Sequence, residues 1–523
     1  MKHSDGTPFQ NQVWDERIRR YGFFGITLLG FFLVYTSFPR DIWIDEHWTY
    51  EMLLYPSYKE MLGRLATDFH PALYTLCLRA WCHFGVSLES MRLFSVFIAF
   101  LTVWVAYRFW CWRKSPIASF IAAILLLSNP LFLRFSQELR GYGMLILAST
   151  MSLAITLYLL EDLANRRLQI LLGFALAAAV SAKLVGIFLL PCLAVFIVLV
   201  KPMQFRDACK GLMIPFFVCL SVFFYWYVFF LELPFREIND WWMPPMSYEL
   251  IAGTIAYYFG AAPFPDYGFP TWVPSIATVL FCLTLFCPRQ GRVGVSLLVA
   301  CVIYVLGIAV YSALFQQIFW YRSFLPILPL VIAGVIQSTI ELKSYRLQRY
   351  LLVCYILLAA LWIGRAVHPL GSEPVEESKT ISSYIENHES SESVVIFFPG
   401  YIVGPVRFHA NENIKPKMFP LWSYSKNEIQ KFIAELPKVG KIFLVIRADL
   451  TFDTESYREL MGQLKINFEG IPITRLTILS HDIFFTETYP TLKAIESIEK
   501  KNIIERTIIT KQPSYSIING QLR

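Results

Sequence analysis

The sequence predicts a polytopic α-helical membrane protein of about eleven spans with a C-terminal extracytoplasmic α/β domain. Three observations lead there. Hydrophobic residues make up 56% of the 523 positions and charged residues only 16%, well under the roughly 25% of soluble domains; mean hydropathy is +0.49. Uncharged apolar runs recur at about the length a bilayer requires. From about Gly371 the composition turns polar, and no later run is long enough to span. The net charge of +7 implies no nucleic-acid partner, because most basic residues of the first 370 positions sit in short loops where they set topology.

The first apolar run, Tyr21–Phe38, carries no charge and follows a polar N-terminus without a small-residue cleavage site, so it reads as a retained helix. Further helices are expected near 91–110, 115–133, 139–160, 168–182, 184–200, 211–231, 271–288, 293–314, 322–341 and 349–367. Basic residues mark every second connection: Arg17, Arg19 and Arg20; Arg108, Arg113 and Lys114; Arg166 and Arg167; Lys201, Arg206 and Lys210; Arg289 and Arg292; Lys343, Arg346 and Arg349. These connections are expected to face the cytoplasm. The pattern holds only if the apolar stretch His70–Phe84 lies in the interface or re-enters rather than crossing. An odd span count puts the N-terminus inside a cell (inner) membrane, and the long loops 39–90 and 232–270 and the C-terminus outside it. The ten cysteines fall between Cys77 and Cys354 with no CxxC or Cys/His metal spacing, and read as small apolar packing residues.

The chain therefore divides into a membrane domain, 1–370, whose first outer loop 39–90 carries interfacial helices, and an α/β domain with a tail, 371–523. In the latter, Ser378–His388 and Ser425–Leu436 read as amphipathic helices, and Val394–Phe398 and Lys441–Arg447 as buried strands. Thr474–Leu479 and Asp482–Thr486 are a further strand pair, and residues beyond about Ile495 a tail.

Chemistry-bearing residues gather on the expected outer surface. Asp45 and Glu46, between Trp43 and Trp48, directly follow the first span. Carboxylates beside a bilayer are costly to desolvate and usually functional, although an outer loop with an aromatic belt gives the same pattern. Asp68-Phe69-His70-Pro71 closes the same loop, with Pro71 placed to start a helix. Ser136-Gln137-Glu138-Leu139-Arg140-Gly141-Tyr142 opens a later span, where Arg140 can reach a phosphate, pair with Glu138 or snorkel. Lys183 interrupts the apolar stretch Ala175–Leu190, an expensive position unless an anion lies near. Tyr321-Arg322-Ser323-Phe324-Leu325-Pro326 begins another span from outside. Acids able to take a proton or hold a metal, sharing a surface with Arg140, Lys183 and Arg322, suit attack by a hydroxyl with departure of a phosphate.

At these residues the chain resembles the family 39 glycosyltransferases of the membrane-embedded C-type superfamily, whose members include protein O-mannosyltransferases and the lipid A aminoarabinose transferase. The likeness covers about residues 20–340. The family's Asp-Glu pair matches Asp45-Glu46. Its His-Pro-Pro-Leu-Tyr block resembles His70-Pro71-Ala72-Leu73-Tyr74. Its Ser-Gln-Glu-Ala-Arg-Met-Tyr block is similar to 136–142, with Leu139 and Gly141 substituted. Its Arg-Tyr-Leu-Leu-Pro block resembles Arg322–Pro326, with Ser323 and Phe324 departing.

The resemblance implies the C-type fold and transfer of a sugar, with inversion, from a polyprenyl-phosphate donor to a lipid, glycan or protein acceptor. It implies Asp45 as base or acceptor-orienting acid, Glu46 in support and Asp68 as a candidate second acid. Substrate would be held by His70, Gln137, Glu138, Arg140, Tyr142 and Arg322, to which burial adds Lys183. A divalent metal stays open, with Asp68 and His70 as candidate donors. The aromatic loop 232–270, with Trp241, Trp242, Tyr257, Tyr258 and Tyr267, is a candidate acceptor groove or an interface belt. A flippase predicts midplane charges and inverted repeats, and neither is evident apart from Lys183; a lipid-sugar binding protein without turnover is the other alternative.

Overall fold

The computed structural model describes residues 8–37, 42, 44–110, 115–233, 246–258, 272–288, 291–367, 377–388, 393–398, 400–421, 426–436, 441–447, 459–460, 462–464, 473–478, 517–518 and 521–522. The chain divides into two compact units, one of 1–38, 51–262 and 268–368, the other of 39–50, 263–267 and 369–523. Asp41, Trp43, Trp241, Trp242, Tyr267 and 482–486 lie outside the described residues.

The first unit is helical. Its elements run α1 (Pro8–Ser37), α2 (Ile44–Leu53, whose first turns belong to the second unit), α3 (Tyr58–Leu65), α4 (Leu73–Trp81), α5 (Leu88–Phe109), α6 (Pro116–Ser128), α7 (Pro130–Phe135) and α8 (Tyr142–Leu159). They continue as α9 (Arg166–Ala182), α10 (Leu189–Val200), α11 (Phe205–Phe224), α12 (Tyr248–Tyr258), α13 (Trp272–Phe286), α14 (Val293–Leu314), α15 (Leu328–Ile340) and α16 (Tyr345–Val367). Among the described residues, six helical segments are long and apolar enough to cross a membrane by length and composition, and four shorter apolar helices of 10–17 residues accompany them. Helix α9 packs between α8 and α11, and α14 against α10 and α15.

Local chemistry sets the boundaries. Ser87, Ser115 and Asn165 each accept a backbone N–H in the first turn of α5, α6 and α9. The expected single helix over 115–133 is two: the Asn129 side chain accepts from Leu131 N at 3.0 Å and Phe132 N at 3.3 Å, and Pro130 cannot continue the preceding ladder. Within apolar helices, buried hydroxyls bond back to the carbonyl four residues earlier, as Thr102 does to Ile98 at 2.8 Å and Thr150 to Ile146 at 2.7 Å. That satisfies polar groups where no water is at hand. The nine residues of α4 span about 13 Å, too short to cross a bilayer core. The last turns of α11 widen into a π-helix, Tyr225–Phe230.

In the second unit α17 (Glu377–His388), β1 (Ser393–Phe398), α18 (Val403–His409), β2 (Met418–Pro420), α19 (Lys426–Glu435), β3 (Lys441–Arg447) and β4 (Ile473–Ile478) form an α/β layer. The strands are all parallel, in the order β2-β1-β3-β4. Parallel strands must be covered on both faces, and β1 is buried throughout. On one face Val395, Phe397, Phe443 and Val445 pack with α17 and α18; on the other Val394, Ile396, Ile442 and Leu444 pack with α19, Leu460 and Leu464. Residues 517–518 and 521–522, expected as tail, pair as two short antiparallel strands, β5 (Ile517–Ile518) and β6 (Gln521–Leu522).

Candidate active site

Three of the four sequence blocks meet in the first unit. Asp68 is half-buried in the turn between α3 and α4, where its carboxylate accepts the Phe69 N–H at 2.7 Å. Burial alone would push this carboxyl up. The charges of His70, Arg140 and Lys183 and the Phe69 N–H more than offset burial and hold it below the usual carboxylate range. Asp68 is thus the anion that makes a half-buried Arg140 and a Lys183 only 5% exposed tolerable at one place. Pro71 does not open α4 as expected; the helix starts at Leu73 after Ala72, because the 68–70 turn is fixed by the Asp68–Phe69 bond.

The 136–142 block is anchored to α4 and α9. The hydroxyls of Tyr74 and Ser95 bond at 2.8 Å, and Ser95 Oγ donates to the Glu138 carbonyl at 2.7 Å. Gly141 allows the close approach: a Cβ there would stand 2.8 Å from Ala182 O and 3.4 Å from Tyr74 Cβ. Lys183, the extended residue between α9 and the 3-10 turn Leu184–Phe188, places Nζ over the Tyr142 ring at 4.5 Å. Glu138, 1% exposed, is engaged by Arg134 Nε at 2.8 Å, an i,i+4 pair. The Glu138 oxygen Oε1 is thus taken by Arg134. Gln137 is buried and donates to Leu133 O at 3.2 Å.

Aromatic rings lead from here to Arg322. Tyr142 packs on Phe135 at 4.9 Å between centroids, and Phe135 on Tyr321 at 6.1 Å. Arg322, 7% exposed, donates from Nε to the Tyr321 hydroxyl at 3.2 Å. The 321–326 block is a 3-10 turn, Tyr321–Ile327, rather than the first turn of the next helix, since Pro326 and Pro329 interrupt the α-ladder. Tyr304 of α14 donates to Val185 O at 3.1 Å and Ser323 O at 2.8 Å, tying the Lys183 and Arg322 turns together. Ser95, Arg134 and Tyr304 were not singled out in the sequence. The i,i+4 spacing of Arg134 and Glu138, and a tyrosine inside an apolar helix, were the available signals.

Asp45 and Glu46 belong to the second unit, in the first turn of α2, where acids complement the positive helix end. Asp45 is half-buried, Glu46 fully buried and Trp48 half-buried. The Thr49 hydroxyl donates to Asp45 O at 3.3 Å. His47, 7% exposed, is pushed down to about 4 by burial and by the nearby Arg407 charge.

Among the described residues no group of three or more His, Cys, Asp or Glu converges to hold a metal. In the first unit Asp68 and His70 are the donors at hand, and the positive charges of Arg140 and Lys183 act on the same carboxylate. That surrounding suits an anion rather than a second cation.

No protein-family model matches the chain, and no curated protein matches it in sequence. Its fold is similar to that of ArnT from Cupriavidus metallidurans in the apo state, with 15% identity, 79% of this chain and 90% of that chain covered and a TM-score of 0.50. The same protein bound to undecaprenyl phosphate aligns at 13% identity, over 84% of this chain and 86% of that chain, with a TM-score of 0.41. The apo oligosaccharyltransferase of Archaeoglobus fulgidus aligns at 11% identity, over 85% and 68%, with a TM-score of 0.45. The likeness to apo ArnT is one of fold, and it agrees with the polytopic helical architecture that the sequence implied.

Proposed function

We propose that this protein is an integral membrane glycosyltransferase that moves a sugar from a polyprenyl-phosphate donor to an extracytoplasmic acceptor hydroxyl, with inversion. The observation that carries the reading is the convergence of Arg140 and Lys183 on Asp68, with Arg322 joined to them through Tyr142, Phe135 and Tyr321. Buried cations at the end of apolar helices are what a lipid-borne phosphate needs.

In the reaction, the bond between the anomeric carbon and the phosphate oxygen breaks, and its electron pair leaves with the phosphate. Arg140, Lys183 and Arg322 stabilise the charge that develops there. The acceptor oxygen attacks the opposite face of the sugar, whose anomeric carbon is oxocarbenium-like, as in other glycosyl chemistry. Its proton passes to Asp45, with Glu46 in support and Asp68 as a second acid. His70, Gln137, Glu138 and Tyr142 complete the donor site. The acceptor is a lipid, a glycan or a protein. The basic loops support a cytoplasmic N-terminus, with the site and the α/β domain 371–523 outside a cell membrane.

The test is loss of label from a panel of radiolabelled polyprenyl-phosphate sugars in reconstituted protein, wild type beside Asp45→Asn, with acceptor-rich membrane extract present. Label release that depends on Asp45 is expected. No release from any donor, or near-normal release by Asp45→Asn, overturns the reading or the base assignment respectively.

A further inference from the structure

The segment that carries Asp45 and Glu46 packs with the C-terminal α/β fold, although about 350 residues separate the two in sequence. The contact is made by α18, which follows β1 and covers one face of the sheet through Val403 and Val406. Gly404 of α18 lies against the His47 ring. A Cβ built at Gly404 would fall 2.7 Å from His47 Cε1 and 2.9 Å from its Cγ, and closer still to Nδ1. Gly404 sits in ordinary helix, so it is the space taken by His47, not backbone conformation, that requires glycine. One turn on, Phe408 meets the Tyr50 ring edge-on at 5.1 Å between centroids. Two consecutive turns of α18 thus contact His47 and Tyr50, which lie three residues apart and share one face of α2. Glu46, the residue before His47, is fully buried.

We propose that α18 is a positioning element of the reaction, in which Gly404 and His47 fix the register and rotation of α2 and so aim the Asp45 and Glu46 carboxylates. The inference rests on the reading of Asp45 as the base. Neither Gly404 nor His47 touches substrate; both act through α2. The C-terminal domain then takes part in the reaction through the seat of α2, and the fit of Gly404 against the His47 ring helps to set that seat.

The experiment uses the full chain in lipid nanodiscs and four variants: Gly404→Ala, His47→Ala, the double variant, and Gly462→Ala as control, because a Cβ at Gly462 meets nothing within 4 Å. Hydrogen exchange over 44–50 is the first readout. Gly404→Ala is expected to speed exchange there by about tenfold or more, the scale on which an overpacked contact is felt, and the double variant to match His47→Ala alone, since the colliding ring is gone. Transfer from the labelled polyprenyl-phosphate sugar is the second. Its kcat is expected to fall about tenfold in Gly404→Ala while KM for the donor stays within about twofold, because the donor cations lie in the other unit.

Exchange in Gly404→Ala that matches Gly462→Ala overturns the inference. So does a loss of rate fully accounted for by the folded fraction, with kcat per folded molecule unchanged. Faster exchange with a fully active Asp45→Asn sinks the functional reading instead and leaves the Gly404–His47 seat standing.

Discussion

Acidifying the protein from about pH 7 to about pH 4 is expected to loosen the seat of His47, because the folded chain resists a proton that the unfolded chain accepts. The imidazole is displaced from 6.5 to about 4, first by burial and then by Arg407. Arg407 faces it from α18; Tyr50, Asp45 and Glu46 share its own helix. Above about 6.5 both states are neutral and His47 adds no pH dependence. As pH falls below that value the unfolded state alone binds the proton, and stability drops by about 1.4 kcal/mol per unit. Over the window from 6.5 to about 4 the loss totals about 3 kcal/mol, and it levels off once the seated imidazole is also protonated. The assay is carbon-detected NMR of histidine-labelled protein, with His47→Gln assigning the resonance among the eight histidines, together with thermal unfolding across the same pH range. His47→Gln is expected to flatten the slope attributable to this site. A His47 resonance that titrates at or above 6.5 refutes the burial reasoning.

Other expectations follow from the first unit. Arg322→Ala should weaken binding of undecaprenyl phosphate by about ten- to a hundredfold, the range of a lost charge-assisted hydrogen bond, with less effect on expression; unchanged affinity removes its phosphate role. Lys183→Met should weaken the same binding on a similar scale and let the Asp68 carboxyl rise, since Lys183 is one of the charges that hold it down; equal affinity in calorimetric titration argues against a donor contact. Gly141→Ala should cost about 1–3 kcal/mol and displace the Lys183 end of α9, because its Cβ would meet Ala182 O at 2.8 Å. Thermal unfolding beside Gly63→Ala, whose Cβ meets nothing within 4 Å, checks this, and identical curves would contradict it.

Much of the membrane part was legible because lipid makes helix the cheapest backbone state. The expected 293–314 coincides with α14 to the residue, and Lys441–Arg447 with β3. Departures occur where a side chain or a proline competes with the helix. Asn129-Pro130 splits α6 from α7, Asp68 draws the turn before Pro71, and Pro326 makes Arg322 part of a 3-10 turn. In the α/β part, α18 and β2 went unread. The former carries Gly404-Pro405 within seven residues, and the latter is a three-residue edge strand ending in proline. The motif blocks themselves were visible, since Asp68, Arg140 and Lys183 are costly residues beside apolar runs. What joins them was not. Tyr74–Ser95–Glu138 and Val185–Tyr304–Ser323 are contacts between distant positions, and no local periodicity encodes such pairs. The same holds for Gly404, whose reason to be glycine is a ring on a helix from the other end of the chain.

That separation gives the protein a history as well as a shape. Asp45 leaves the ribosome 359 residues before Gly404 (404 − 45), an interval of roughly 20 to 70 s at ordinary translation rates of about 5–20 residues per second. The cation-bearing helices of the first unit can insert and pack during that time, but the acidic helix has no partner to dock on. A nascent chain that ends before α18 therefore has Arg140, Lys183 and Arg322 but lacks the helix on which His47 and Tyr50 seat. On the proposed assignment, synthesis through α18 is what completes the seat of the acids, so a shorter copy would hold donor without aimed carboxylates.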